Sequence, residues 1–305
     1  MPVSDLSVLP AASAARRTVP NLLSIAGTDP TGGAGIQADL KSFAAHRGYG
    51  MAVVTALVAQ NTEGVRDIHL PPVEFLRAQL DAVSDDVAID GVKVGMLGTA
   101  EIIGTVAAWW DELTEPSGTE PSGTEPSRTE TPVLVVDPVM VATSGDRLLH
   151  AEAESALIDF LHRADLITPN VPELALLAGA EPATTTEDLL AQAEQVADTH
   201  NVLVLAKGGH LKDATVTDTL VHPTDDAGGR PSHQQFESLR VETTNTHGTG
   251  CSVSAALTAL RARGLSWPEA VAQVKDWMTS SLQSAETLDV GRGHGPIHHF
   301  ADLWA

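Results

Sequence analysis

Cysteine is almost absent from this chain: its 305 residues include one, Cys251. A single thiol excludes an intramolecular disulfide framework and a cysteine-based zinc site, and it fits a reducing compartment, the cytoplasm. Basic residues are also scarce, 18 Lys and Arg against 40 Asp and Glu, for a net charge of −22. A protein that grips a nucleic-acid backbone needs a basic footprint, so nucleic acid is excluded as a partner. An anionic ligand would need its positive field supplied locally, by backbone N–H groups, a metal ion and a few cationic side chains. No apolar run approaches the roughly 18–20 residues that cross a bilayer, which excludes a membrane-spanning helix. Arg16-Arg17 follow a weak apolar stretch instead of preceding one, the reverse of a secretory signal. Residues 1–20 are therefore read as a disordered tail. No Walker A sequence is present, which excludes an ordinary P-loop kinase. The twelve histidines show no metal-ligand spacing.

What the chain does have is alternation. Apolar runs of strand length occur at Leu22–Ala26, Ala52–Val58, Val92–Gly95, Val133–Asp137, Asp165–Thr168 and Val202–Ala206. Most are continuously apolar, as parallel strands buried on both faces are. Between them, Ile36, Leu40, Phe43 and Ala44, and later Val253, Ala256, Leu257 and Leu260, recur at helical spacing on one face. Such alternation predicts an α/β fold with a mostly parallel, doubly wound sheet covered by helices on both sides. Val216–Val221 and Phe236–Val241, around a Gly/Pro/Asp-rich bend, predict an antiparallel pair near one edge. One domain is expected over residues 21–305. Residues 114–132, built on the repeat TEPSG, carry no apolar residues and a proline every fifth position, so a flexible acidic insertion is expected there.

The strongest local signal is Asn245-Thr246-His247-Gly248-Thr249-Gly250-Cys251, leading into a helix from Ser252 onward. Gly248, Thr249 and Gly250 at a first helical turn leave backbone N–H groups free, and the helix dipole adds positive charge. That is an anion hole suited to a transferring phosphoryl group; the plainer alternative is a tight loop with a packed cysteine. Cys251 is expected to have a lowered pKa at this terminus and to take or position a proton. Asn170 and Glu173 follow a strand end, where oxygen ligands can hold Mg²⁺ partly through water; equally, they form the N-cap and capping-box pair of a helix. Asp137 closes another strand as a metal or catalytic carboxylate, or as a turn residue before Pro138. Lys207, before Gly208-Gly209, reaches a nucleotide phosphate or snorkels at the surface. Gly33-x-Gly35-x-x-Ala38 matches a dinucleotide fingerprint in form, but Gln60-Asn61, not an acid, ends the second strand.

Together the segments SIAGTDPTGGAGIQADLKSF, VTALVAQNTEGV, VKVGMLG, VVDPVM with SGD, LITPNVPEL, KGGH, NTHGTGCSVSAAL and GRGHGPIHHF resemble the bacterial hydroxymethylpyrimidine/phosphomethylpyrimidine kinases of thiamine biosynthesis. The resemblance covers about residues 20–303 and leaves out the N-terminal tail and the TEPSG insertion. It implies a ribokinase-like three-layer α/β/α sandwich, a homodimer, ATP as co-substrate, Mg²⁺, and two successive phosphorylations of one pyrimidine. On that reading Gly248, Thr249 and Gly250 are the anion hole, and Cys251 stands where sugar kinases of the superfamily have an Asp base. Gln60 hydrogen-bonds the aminopyrimidine edge, and Ala26, Gly27, Asp29, Met96 and Val139 line the same pocket. Asn170, Thr246 and Lys207 fall on the nucleotide side, with Glu173 and Asp137 toward the metal.

Two other readings stay open. A pyridoxal kinase uses a related scaffold and a hydroxymethyl acceptor, and a small flat pocket discriminates poorly between similar rings. A ligand sensor on a kinase fold is a different class, because fold does not entail function.

Overall fold

The computed structural model describes residues 17–115, 131–140, 149–224 and 233–304. Of the tail expected over 1–20, residues 1–16 lie outside the described residues, while Arg17 bonds Asp90 and Pro20 is buried. Of the insertion expected over 114–132, residues 116–130 lie outside them and Thr114 ends a helix. The Ser-Gly-Asp motif at 144–146 and the bend at 225–232 lie outside them too.

β1 (Asn21–Gly27) shows how the sheet is built: six of its seven residues are buried, so both of its faces need cover. It pairs in parallel with β2 (Tyr49–Asn61) on one side and β4 (Gly91–Val94) on the other. The parallel run continues through β5 (Val133–Val136), β6 (Leu166–Ile167) and β7 (Leu203–Ala206). Antiparallel strands close both ends: β3 (Gly64–His69) pairs with β2, while β8 (Thr215–Val221) pairs with β7 and then with β9 (His233–Leu239). The nine strands run in the order β3-β2-β1-β4-β5-β6-β7-β8-β9.

Alternate residues of each strand face opposite layers. Leu23, Ile25, Val92, Val94, Leu134 and Val136 pack against α2 (Val73–Ser84), α3 (Ala100–Thr114), α4 (Glu154–Leu161), α5 (Val171–Ala178) and α6 (Thr186–His200). Leu22, Val135, Leu166, Leu203 and Leu205 face α1 (Gly35–Ala45), α7 (Thr249–Ala262) and α8 (Trp267–Gln283). The expected three-layer α/β/α sandwich is thus present.

The strand order reverses between β1 and β4: the chain leaves β1 toward β2, then returns to build the sheet in the other direction. Carboxyl ends of strands at such a switch point form a crevice. Gly27 ends β1 and Gly95-Met96 follow β4, so pocket residues predicted from sequence meet there. Several boundaries differ from expectation: β2 covers Tyr49–Asn61 where Ala52–Val58 is predicted, and β9 covers His233–Leu239 where Phe236–Val241 is predicted. The run predicted at Asp165–Thr168 is strand only over Leu166–Ile167, although the amides of Asp165 and Thr168 still donate to Leu134 O and Val136 O of β5 at 2.9 and 3.0 Å. The helix predicted from Ser252 begins at Thr249, with Gly248 as its cap.

Candidate active site

Gly248 takes φ 77°, a conformation open to glycine, and a Cβ there would lie 1.8 Å from the carbonyl oxygen of Gly33. Backbone therefore packs on backbone, pressing the loop before α7 against the loop after β1. The amide of Thr249 donates to Thr246 O at 3.3 Å and that of Ser252 to Gly248 O at 2.9 Å. Among the described residues, the amides of Gly248, Gly250 and Cys251 have no acceptor. Three unpaired donors at a helix N-terminus are the kind of group an anion can bind.

Opposite that turn, three parallel strands end on one carboxylate. Asp137, after β5, accepts from Thr168 Oγ1 at 2.9 Å and from Lys207 Nζ at 2.8 Å. Burial alone would raise the pKa of Asp137, but Lys207 and then Lys93 hold it below the usual range. Burial would likewise lower Lys207, and Asp137 and Glu173 outweigh it, so the ammonium stays charged. A Cβ on Gly250 would sit 3.3 Å from Lys207 Nζ and 3.5 Å from Asp137 Oδ2. The free amides, the lysine and the second oxygen of Asp137 thus border one space.

Asn170 and Glu173 form the capping box of α5: Asn170 Oδ1 accepts from Glu173 N at 3.0 Å and Glu173 Oε2 from Asn170 N at 2.9 Å. Burial raises the Glu173 carboxyl to about 7, with Lys207 opposing and Asp137 reinforcing the shift. No group of three or more His, Cys, Asp or Glu side chains among the described residues is arranged to hold a metal. The donor set of Asp137 and Glu173 instead suits a hard cation held by one or two carboxylates, water and phosphate, as Mg²⁺ is.

Asp29 is fully buried and spends its oxygens on its own loop. Oδ1 accepts from the amide and hydroxyl of Thr31; Oδ2 accepts from the amides of Gly33 and Ala34 at 2.9 and 2.8 Å and pairs with His247 Nε2 at 2.8 Å. These bonds, His247 first, overcome burial and hold its pKa far below the ordinary carboxylate range. The glycine-rich loop therefore gives its amides to Asp29, and no dinucleotide pyrophosphate is needed to satisfy them. The Gln60 side chain, near the end of β2, makes a smaller contribution to lowering Asp29. A separate apolar cluster joins Met96 and Val58 with the partly buried Val139. Gly27 borders it, since a Cβ there would lie 3.3 Å from Met96 Sδ, and Ala26 is buried alongside. Gly27, Met96 and Val139 thus meet at the switch point.

One expectation about Cys251 is reversed. Its thiol is pushed up to about 11, chiefly by burial; Asp39 and Asp137 add to the shift and Lys93 opposes it. The helix terminus does not compensate for the lost water. Cys251 is a neutral thiol at pH 7, which can orient a hydroxyl but is not a standing base.

Sequence reading missed three features. Lys93 and Asp39, both wholly inaccessible, form an ion pair with Nζ 3.0 and 2.9 Å from the two oxygens, and Ser24 Oγ adds a 2.6 Å bond. The sequence gives no pairing signal between residues 54 apart on a helix and a strand. His247, beside the Gly-Thr-Gly turn, carries no sequence signal of its bond to Asp29, 218 residues away. An apolar cleft between the β8–β9 pair and helices α7 and α8, lined by Val216, Val241, Val253, Leu257, Met278 and Leu282, was not foreseen either. It opens beside Asp218, which accepts from Gly208 N at 2.9 Å and so adjoins Lys207. Another cavity, lined by Arg17, Asp90, Asp165 and Arg261, sits at the amino ends of the strands and contains none of the predicted site residues.

Residues 29–119 and 123–298 match the phosphomethylpyrimidine kinase family. The chain is 46% identical over 285 residues to the hydroxymethylpyrimidine/phosphomethylpyrimidine kinase of Salmonella typhimurium, covering 93% of this chain and 98% of that one. It is 50% identical over 282 residues to the thiamine biosynthesis multifunctional protein ThiED of Corynebacterium glutamicum, covering 92% of this chain but only 34% of that longer protein. In structure it resembles the pyridoxal kinase of Staphylococcus aureus in complex with AMP-PCP and pyridoxal, with a TM-score of 0.77 and 29% identity over 93% of this chain and 95% of that one.

Proposed function

Because the chain belongs to the phosphomethylpyrimidine kinase family, we propose that it uses ATP to phosphorylate 4-amino-5-hydroxymethyl-2-methylpyrimidine, first to the monophosphate and then to the diphosphate, for thiamine biosynthesis. One observation carries this reading: three free amides, Lys207 and Asp137 border the same space at the carboxyl edge of the sheet. Residues 21–305 act as one catalytic domain.

In the first step the substrate hydroxyl attacks the γ-phosphorus as the bond to the β-phosphate bridging oxygen breaks. The transition state is loose, so charge spreads over the equatorial oxygens and positioning outweighs early proton removal. Gly248, Gly250 and Cys251 donate their amides to those oxygens, with Thr249 shaping the turn. Lys207 offsets charge on the transferred group. The Cys251 thiol orients the hydroxyl, whose proton leaves late. Gln60 reads the aminopyrimidine edge with one donor and one acceptor, while Ala26, Gly27, Met96 and Val139 pack on the ring and Asp29 borders the same pocket. Asn170 and Thr246 lie toward the nucleotide, and its base enters the cleft between Val216 and Met278. Asp137 and Glu173 would hold Mg²⁺, partly through water; the ion supplies charge neutralisation on the phosphates. In the second step the nucleophile is a phosphate oxygen, and no base is required.

A homodimer fits the exposed Tyr49, Leu57 and Phe75 on β2 and α2, an apolar face that a second copy would cover. A cytoplasmic location fits the single free thiol; among the described residues no helix is long and apolar enough to cross a membrane.

Mass detection of products from the pyrimidine alcohol with Mg·ATP tests the proposal: both mono- and diphosphorylated species are expected, and binding without turnover would leave a sensor instead. Pyridoxal kinase activity is the second reading, supported by the Staphylococcus aureus structure. Comparing kcat/KM for the two alcohols decides between them.

A further inference from the structure

The segment Gly291-Arg292-Gly293-His294-Gly295-Pro296 lies after the last long helix, far in sequence from every residue given a role above. It nevertheless touches both halves of the site. At its near end, Thr62 Oγ1 accepts from Arg292 N at 3.2 Å and Gly293 N at 3.1 Å, and Thr62 O accepts from His294 N at 2.9 Å. Thr62 is buried in the turn between β2 and β3, two residues beyond Gln60. At the far end, Gly295 O accepts from His247 N at 3.0 Å, and the His294 ring bonds Thr244 O through Nδ1 at 3.1 Å. His247 is directly followed by the anion-hole turn.

The alternate glycines explain how the strap fits. A Cβ on Gly291, whose φ is 79°, would lie 2.2 Å from Thr62 Oγ1. On Gly293 it would lie 2.0 Å from Thr62 O, and on Gly295 2.1 Å from Asn245 Oδ1. Each glycine is thus in contact with one half of the site or the other, and no side chain fits at any of the three.

We propose that residues 291–296 are a clasp that sets the position of the acceptor pocket relative to the anion hole, with Thr62 as its positioning residue. It rests on the kinase reading above. Each half binds its own ligand through other residues, so loosening the clasp leaves binding intact and misaligns the reacting groups. The signature is a fall in kcat with little change in KM.

The test compares Thr62→Val, which keeps shape and removes the acceptor, with Thr62→Ser, which restores it. Thr62→Val is expected to lower kcat for the pyrimidine alcohol about tenfold, the order of two lost hydrogen bonds, with both KM values within about twofold. Thr62→Ser is expected to recover most of the rate. An unchanged kcat in Thr62→Val, or an equal loss in Thr62→Ser, overturns the proposal. Should Thr62→Val melt below the assay temperature, Gly295→Ala, which strikes the other end at Asn245, takes its place with the same expectation. If the wild type turns over no pyrimidine alcohol, the kinase reading falls and the clasp is judged on ligand-free protein by iodoacetamide alkylation of Cys251. A rate at least about threefold faster in Thr62→Val supports it, because a freed loop opens more often; an equal rate overturns it.

Discussion

Lys207 Nζ donates to Asp137 Oδ1 at 2.8 Å, joining the ends of two parallel strands across a third, whose Thr168 bonds the same oxygen at 2.9 Å. The pair fixes a cation beside Gly250, at the rim of the proposed anion hole. Lys207→Met removes the charge proposed to act on the transferred phosphoryl group. We expect kcat to fall about 10²–10³-fold in both phosphorylations, the usual loss for one stabilising donor. Asp137 left buried without its partner should also cost about 3–5 kcal/mol of stability. Single-turnover kinetics and urea unfolding read the two effects.

In the proposed mechanism Cys251 orients a hydroxyl, and only the first phosphorylation has one. Cys251→Ala should therefore lower the rate with the alcohol as acceptor more than the rate with the monophosphate. Separate assays starting from each acceptor check this; equal losses would remove the assigned role.

The Lys93–Asp39 pair is inaccessible on both sides and lies between the sheet and α1. Breaking one partner of such a pair leaves a buried charge uncompensated. Lys93→Met should destabilise the protein by about 3–5 kcal/mol, whereas the double variant Lys93→Met with Asp39→Leu should recover much of the loss. Chemical denaturation of the three proteins measures it.

His299 is buried, its Nε2 lies 2.9 Å from Ser252 Oγ, and burial pushes its pKa down to about 3. Between that value and the ordinary 6.5, the unfolded chain binds a proton that the folded one refuses. Stability is therefore lost as pH falls from 6.5 toward 3, at up to about 1.4 kcal/mol per pH unit from this group. His299→Gln should show a shallower decline over that window in melts at a series of pH values.

The parallel strands were legible because each is buried on both faces and so reads as an unbroken apolar run. β3 was not: GVRDIH carries Arg66 and Asp67 on an edge strand that only partly buries its alternate residues. The Asn170–Glu173 capping box was visible because both partners lie within one turn. Lys93–Asp39, Asp29–His247 and Thr62–Gly293 were invisible for the opposite reason, since their partners meet only after the sheet is assembled. The direction of the Cys251 shift also depended on tertiary structure. Sequence shows the helix terminus, while the degree of desolvation around the sulfur is set by α1, the sheet and the neighbouring carboxylates.

Both phosphorylations depend on the anion hole proposed before α7. A crystal structure with a non-hydrolysable ATP analogue and the pyrimidine alcohol measures it most directly. The γ-phosphate oxygens should lie about 2.7–3.2 Å from the amides of Gly248, Gly250 and Cys251, with the alcohol oxygen on the side of Gln60 and Met96. A γ-phosphate held elsewhere, with those amides turned to water, would contradict it.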